Sequence, residues 1–322
     1  MSSNFDKSTI PDLAGRVILV TGGMNNLLSI PFIQLLTHYT GTGGIGVEIV
    51  VELAKHNPAH IVFTGRNATS ARTTISRAQA LSPSATITFV PCDLASLTSV
   101  NAAADKIIAT CPRLDVFFAN AGIMATPPGL SEDGYEVQFA TNHVGHALLT
   151  RRLLPLLEKT AGVPGADVRV IITSSTAWYG GVMEFAPLKT TKNTAVAMGR
   201  WQRYFDSKLA NVLYARELAK RYPKLLCFSV TPGVVGTSLV SDLGLFDRVF
   251  VYVSQLGRIK TPEQGSYNHL WALSVPRKSI KAGAFYEPVG KLSTYENASS
   301  KDPEMPGKLW EWTEKELEKW LK

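Results

Sequence analysis

Arg16-Val17-Ile18-Leu19-Val20-Thr21-Gly22-Gly23 (RVILVTGG, residues 16–23) is the stretch on which the fold turns. After one arginine it is apolar without polar alternation, the pattern of a strand covered on both faces. It then runs into a threonine and two glycines, which permit a sharp change of backbone direction. The same sort of run recurs along the chain. Arg16 to Val20, His60 to Thr64, Thr86 to Val90, Leu114 to Ala119, Val168 to Thr173, Leu225 to Val230 and Gly283 to Tyr286 read as strands.

Amphipathic patterns separate them, at Gly46 to Lys55, Thr69 to Leu81, Leu97 to Thr110, Glu136 to Leu157 and Tyr204 to Lys220. Buried strands alternating with helices predict an α/β, doubly wound parallel sheet of the Rossmann type. No Pro/Gly/Ser-rich linker or internal repeat divides the chain, so residues 1–322 read as a single domain. The amphipathic C-terminal segment, residues 305–322, carries Leu309, Trp312, Leu317, Trp320 and Leu321 and is expected to dock on the body or on a second subunit.

Composition excludes several functions. With 45% hydrophobic residues the chain is long enough to bury a core. The formal charge of +7 comes from basic residues dispersed among acids, without a basic block, so no nucleic-acid partner is expected. The surplus suits an anionic cofactor. Cys92, Cys111 and Cys227 have no metal-ligand spacing and read as free thiols of a reducing compartment. Met1 to Asp12 is polar, without a signal-peptide core, and no stable membrane insertion is expected. The reading is cytoplasmic.

Glycines where the first strand meets its helix let the backbone approach a pyrophosphate, while the helix N-terminus offers unpaired N–H groups. Here that signature is split. Thr21-Gly22-Gly23 and Thr42-Gly43-Gly44-Ile45-Gly46 would join as TGGTGGIG, but Met24 to Gly41 stands between them. After the second strand comes Arg66, with no nearby carboxylate, which favours a 2'-phosphate and hence NADP(H) over NAD(H). A solvated arginine at a strand end is the plainer reading of the same residue.

Tyr204 and Lys208, four apart on a helix, share a face. A nearby ammonium favours the phenolate and is expected to lower the tyrosine pKa toward working pH, where proton transfer is effective. His143 and His146 are three apart but lack a third ligand at a useful spacing, so no metal site is expected.

Taken together, these residues resemble the short-chain dehydrogenase/reductase family over residues 14–290. Asp93-Leu94 resembles its adenine-contacting acid, and Ala119-Asn120-Ala121-Gly122 its Asn-Asn-Ala-Gly motif, with a departure at the first position. Asn142-His143-Val144-Gly145, Thr173-Ser174-Ser175 and Pro232-Gly233 with Thr237 are similar to its remaining site motifs. The resemblance implies that Tyr204 transfers the proton, Lys208 lowers its pKa and binds nicotinamide ribose, Ser175 (with Ser174 as fallback) holds the substrate oxygen, and Asn142 holds a water. Thr21, Gly22, Gly44, Ile45, Gly46, Arg66, Asp93, Asn120, Gly122, Pro232, Gly233 and Thr237 would contact NADP(H). The pattern looks closest to the retinol-dehydrogenase-like and fungal secondary-metabolite branches. Helices of this fold often pair between subunits, which makes a homodimer compatible with it.

The substrate side is read from two stretches. One holds Trp178, Tyr179, Met183, Phe185 and Trp201; the other, in residues 234–262, holds Leu239, Leu243, Leu245, Phe246, Phe250 and Tyr252. They suggest an apolar carbonyl or alcohol substrate, with assignment of most of them to the core weighed equally. The expected activity is interconversion of a carbonyl and a secondary alcohol; a non-enzymatic nucleotide-fold binding protein, or an epimerase or dehydratase, are the alternatives. Met24 to Gly41 itself has three readings: a lid, an inactivating insertion, or a translated unspliced intron. The last is preferred, because Gly23-Met24 is compatible with a GT-ATG donor, Leu36-Thr37 with a CTAAC branch sequence and Thr40-Gly41 with an ACAG acceptor.

Overall fold

The computed structural model describes residues 5–22, 44–191, 198–237 and 259–322. All seven expected runs are strands: β1 (Val17–Thr21), β2 (His60–Gly65), β3 (Ile87–Pro91), β4 (Val116–Ala119), β5 (Arg169–Thr173), β6 (Leu226–Val230) and β7 (Phe285–Glu287). A short edge strand, β8 (Lys291–Leu292), completes a sheet of order β3-β2-β1-β4-β5-β6-β7-β8. Pairing is parallel from β3 through β7, and β8 runs antiparallel to β7.

Among the described residues the α-helices are α1 (Ile45–Ala54), α2 (Ala68–Leu81), α3 (Leu97–Thr110), a short α4 (Val137–Phe139), α5 (Gly145–Ala161), α6 (Gly199–Arg221), α7 (Pro262–Ser274), α8 (Ala298–Lys301) and α9 (Met305–Leu321). Strand alternation distributes them over two faces. Val17 and Leu19 of β1 point into a core built with α3, α5, α6 and α9, whereas Ile18 and Val20 point into one built with α1, α2 and α7. Side chains start the surface helices: Asn67 accepts from the N–H groups of Thr69 (2.9 Å) and Ser70 (3.1 Å) to cap α2. The order reverses between β1 and β4, which opens a crevice at the carboxyl ends of those strands.

Two helices differ from the expectation. The helix expected over Glu136 to Leu157 is instead α4, a π-helical turn at Ala140–Val144 and α5. Helix α7 was not anticipated, although Thr261-Pro262-Glu263-Gln264 forms a full capping box with proline in the first turn. Its inward face carries the buried polar residues Ser266, Asn268 and His269, which break the apolar stripe that periodicity reads.

Of the two readings held open for Trp178, Tyr179, Met183 and Phe185, the structure takes the core. Trp178 is fully buried and Met183 is buried, while Tyr179 and Phe185 pack against the same cluster. Asn297 helps hold the segment there, its amide donating to the carbonyls of Trp178 (3.1 Å) and Gly181 (2.9 Å), while Ser299 Oγ accepts from the Met183 N–H at 3.1 Å. The apolar candidates from Leu239 to Tyr252 lie outside the described residues, as do Gly23, Met24 to Gly41, Thr42 and Gly43.

The C-terminal helix α9 docks on the body. Leu309 and Leu317 are buried in the first core, and Trp310 stacks on Tyr214 of α6 at 5.3 Å. Among the described residues no helix is long and apolar enough to cross a membrane.

Candidate active site

The crevice has a glycine-built side at the ends of β1 and β4. Gly22 has φ +77°, and a Cβ there would sit 2.9 Å from the Ala121 Cβ. A Cβ on Gly46 would sit 2.6 Å from the Gly22 carbonyl oxygen and 2.9 Å from Asn120 Nδ2. The halves of the split glycine signature therefore meet across the interruption. Gly44 starts α1 without a side-chain cap, leaving N–H groups of its first turn for another acceptor. Thr21 ties the two strand ends together: its Oγ1 accepts from the N–H groups of Asn120 (2.8 Å) and Ala121 (3.0 Å), and its carbonyl accepts from Asn120 Nδ2 (3.0 Å).

Arg66 is exposed at the end of β2. Asp93, after β3, is half-buried and accepts through Oδ1 from the N–H of Ala95 at 3.0 Å. Beyond β6, Pro232-Gly233 turns with φ +80° at Gly233 and leads to buried Thr237. Lys260 secures that turn, since its Nζ lies 3.4 Å from the Pro232 carbonyl and its backbone bridges Val235.

The other side is built from side chains. Asn142 lies in the π-helical turn and is fully engaged: Nδ2 donates to the Ile123 carbonyl and to Ser207 Oγ, both at 2.9 Å, and Oδ1 accepts from the Ile123 N–H at 2.8 Å. It thereby binds the loop after β4 to α6. A Cβ on Gly122 would come 3.0 Å from Asn142 Oδ1 and 3.3 Å from Lys208 Nζ, so this glycine too is required by close approach.

Lys208 Nζ donates to the Thr173 carbonyl at 3.3 Å, beside Asn211 Nδ2 at 3.0 Å, and lies 5.6 Å from the Tyr204 ring centroid. Burial lowers the Lys208 pKa to about 8. Burial likewise pushes Tyr204 up to about 12, opposed by the neighbouring Ser175 hydroxyl. This corrects the expectation that the lysine pulls the phenol toward neutral pH. The ammonium lies over the ring face, and desolvation among Trp201, Ala125 and their neighbours outweighs it.

Ser174 and Ser175 separate cleanly. Ser174 is buried and its hydroxyl donates to the Lys208 carbonyl at 2.7 Å, whereas Ser175 is half-exposed, accepts from the Ala177 N–H at 3.2 Å and reaches Tyr204. Around the phenol, Ala125, Trp201 and Tyr204 form a small apolar cluster with Met124, Ala177, Phe205 and Val234. Its members come from the loops after β4, β5 and β6 and from α6.

Three residues in this neighbourhood were not anticipated for it. The imidazoles of His146 and His269 engage the strand-end hydroxyls of Thr21 (2.9 Å) and Thr173 (2.8 Å), and Asn211 shares the carbonyl bonded by Lys208. Burial lowers the pKa of His146 to about 4 and that of His269 to about 3. His143, three residues from His146, faces away toward Thr313 of α9, with 3.2 Å between Nε2 and the hydroxyl. Asn211 stands three residues beyond Lys208, a spacing that puts it on the same helix face; the histidines carried no such signal for hydroxyl partners.

The family model described as short chain dehydrogenase matches residues 37–246, beginning after β1 and within Met24 to Gly41. A short-chain dehydrogenase/reductase, drtF, of Aspergillus calidoustus is 32% identical over 326 aligned positions covering 96% of both chains. Human retinol dehydrogenase 14 is 34% identical across 69% of this chain and 64% of its own. Among solved structures, an uncharacterized protein from Mycobacterium paratuberculosis superposes with a TM-score of 0.71 at 25% identity, covering 98% of each chain.

Proposed function

The chain belongs to the short-chain dehydrogenase/reductase family, and we propose that it is an NADP(H)-dependent oxidoreductase interconverting a carbonyl and a secondary alcohol on an apolar small molecule. One observation carries this reading: a buried phenol beside a half-exposed serine, with an ammonium over its ring, set in an apolar cluster at the carboxyl ends of β4 to β6.

In reduction, Tyr204 Oη donates a proton to the carbonyl oxygen while Ser175 Oγ donates a hydrogen bond to that oxygen as negative charge develops. A phenol with a pKa of about 12 is protonated at neutral pH, so the group is loaded for reduction without prior titration. Lys208, with its ammonium buried, stabilises the phenolate left behind. Asn142 keeps the loop after β4 and helix α6 in register, its amide being wholly used in protein bonds.

The chain's residues fit a dinucleotide. The uncapped start of α1 and the close-packed Gly22 and Gly46 suit the pyrophosphate, together with Thr21, Gly44 and Ile45. Arg66 suits the 2'-phosphate, Asp93 the adenine, and Asn120, Gly122, Pro232, Gly233, Thr237, Tyr204 and Lys208 the nicotinamide riboside. When bound, the cofactor supplies or takes the hydride. The likeness to human retinol dehydrogenase 14 supports an apolar substrate and a retinol-dehydrogenase-like branch, and the likeness to drtF of Aspergillus calidoustus supports a fungal one.

The contact of Gly22 with Gly46 supports reading Met24 to Gly41 as a removable, intron-derived segment. Calorimetry of NADPH and NADH with the full chain, beside a chain lacking residues 24–41, tests the cofactor reading. The shorter chain is expected to bind NADPH tighter than NADH and at least as well as the full chain. Failure of both chains to bind either nucleotide would overturn the assignment.

A further inference from the structure

His146 was noted in the sequence only as a metal candidate, and the proposed chemistry makes no use of it. It is buried on α5, one turn after Asn142, at the point where the glycine-built side of the crevice meets the side-chain-built one. Its ring contacts settle its protonation. Thr21 Oγ1 already accepts two N–H bonds, from Asn120 and Ala121, and so has filled both lone pairs. What that hydroxyl still offers is one proton, and the nearer acceptor is His146 Nε2 at 2.9 Å, against 3.4 Å for the Phe118 carbonyl.

Nε2 must then be the unprotonated nitrogen. Nδ1 carries the hydrogen and faces the Asn142 carbonyl at 3.2 Å, a pure acceptor. The opposite tautomer would point a third donor at Thr21 and set the Nδ1 lone pair against a carbonyl oxygen. An imidazolium would repeat the first fault beside the Lys208 charge, and burial together with that charge holds the ring neutral.

We infer that His146, as the neutral Nδ1–H tautomer, is a positioning residue that couples the nucleotide side of the crevice, through the Thr21 hydroxyl, to the π-helical turn that carries Asn142. Thr21 in turn holds the end of β4, and the Asn142 amide holds Ile123 and Ser207 of α6, one residue before Lys208. A single ring thus keeps the cofactor-facing strand ends in register with the Tyr204–Lys208 helix. The inference rests on the proposed oxidoreductase activity for its kinetic consequence.

The two bonds can be separated by substitution. His146→Phe removes both. His146→Gln places an acceptor near the Nε2 position and keeps the Thr21 bond, whereas His146→Asn places a donor near the Nδ1 position and keeps the bond to the Asn142 carbonyl. NADPH affinity of the full chain by calorimetry, and kcat and KM for NADPH-dependent reduction of 1-decalone, are measured for all four proteins, with melting temperatures alongside. His146→Phe is expected to lose roughly ten- to a hundredfold in kcat, the scale of a small misplacement of reacting groups, and to bind NADPH more weakly. Gln should recover NADPH affinity more than kcat, and Asn should recover kcat more than affinity, with KM for decalone little changed throughout.

Losses that follow melting temperature alone, equal in kcat and affinity across the three variants, would overturn the inference, as would a His146→Phe protein with wild-type kinetics. A second measurement stands apart from activity. Long-range proton–nitrogen correlation spectra of the full chain labelled with 15N-histidine, assigned by loss of the His146→Gln signal, should show the Nδ1–H tautomer at pH 7. An Nε2–H tautomer or an imidazolium refutes the junction even if decalone is reduced. A wild-type full chain that shows the expected tautomer, when neither it nor the chain lacking residues 24–41 binds NADPH or reduces decalone, refutes the proposed activity instead and leaves the junction standing.

Discussion

The two sides of the crevice are built on opposite principles. On the nucleotide side the decisive feature is missing side chains: Gly22, Gly46 and Gly122 stand where a Cβ would meet another group at 3.0 Å or less. On the catalytic side the decisive feature is side chains carried inward against their preference, with Tyr204 and Lys208 both buried and both shifted by desolvation. The first side is cheap in energy and sensitive to shape. The second costs stability and is sensitive to charge. That difference explains why a signature interrupted in sequence still closes in space, since backbone contact needs only the flanks, whereas the Tyr204–Lys208 pair depends on unbroken helical spacing.

Acid should break both sides at once and gives the largest expected effect. His143, His146 and His269 have folded pKa values of about 3, about 4 and about 3, all depressed from 6.5. Between those values and 6.5 the unfolded chain binds more protons, so stability is present above pH 6.5 and is lost as pH falls toward the folded values. At pH 5 each neutral imidazole costs about 2 kcal/mol relative to pH 7, and the three together about 6 kcal/mol. Urea unfolding at the two pH values checks this. Equal stability at both would mean that the rings titrate normally.

Tyr204→Phe isolates the catalytic side. Turnover of an apolar ketone is expected to fall about a thousandfold, about 4 kcal/mol in barrier height, with NADPH affinity retained. Retained turnover would remove Tyr204 from the proton-transfer role. Gly46→Ala isolates the nucleotide side in the same way: a methyl group 2.6 Å from the Gly22 carbonyl must displace α1 or the β1 turn. It should cost about 1–3 kcal/mol of stability and weaken NADPH binding more than it changes kcat. Unchanged calorimetric affinity would show that α1 does not face the cofactor.

Lys208→Met sharpens the contrast from the stability side. Holding the ammonium at a pKa of about 8 rather than 10.5 corresponds to about 3 kcal/mol of unfavourable burial below pH 8. Its partner, the Thr173 carbonyl, keeps Asn211. The variant should therefore be about 1–3 kcal/mol more stable at pH 7 in urea unfolding while losing turnover. Destabilisation would mean that the charge is better satisfied than its surroundings indicate.

Much of this was legible from residues alone, for identifiable reasons. Two-sided burial leaves strands continuously apolar, so β1 to β7 were readable, and the i, i+4 geometry of Tyr204 and Lys208 is a property of any helix. Trp178 and Met183 were ambiguous because an aromatic or thioether side chain suits a cleft and a core equally, and bonds to distant residues such as Asn297 and Ser299 decide between them. Helix α7 hid behind Asn268 and His269, polar residues buried on bonds to distant partners. The pKa of Tyr204 was misjudged because spacing reports proximity to a charge but not desolvation.

By itself the sequence determined the element order, the doubly wound sheet and the identities of the groups offered to the crevice, because periodicity and turn chemistry are local. Only the tertiary structure decided that Gly22 and Gly46 touch across Met24 to Gly41, that Ser175 rather than Ser174 reaches the phenol, and that His146 bridges Thr21 and the Asn142 carbonyl. Those outcomes depend on which buried polar groups find partners far along the chain, and residue spacing does not encode that matching.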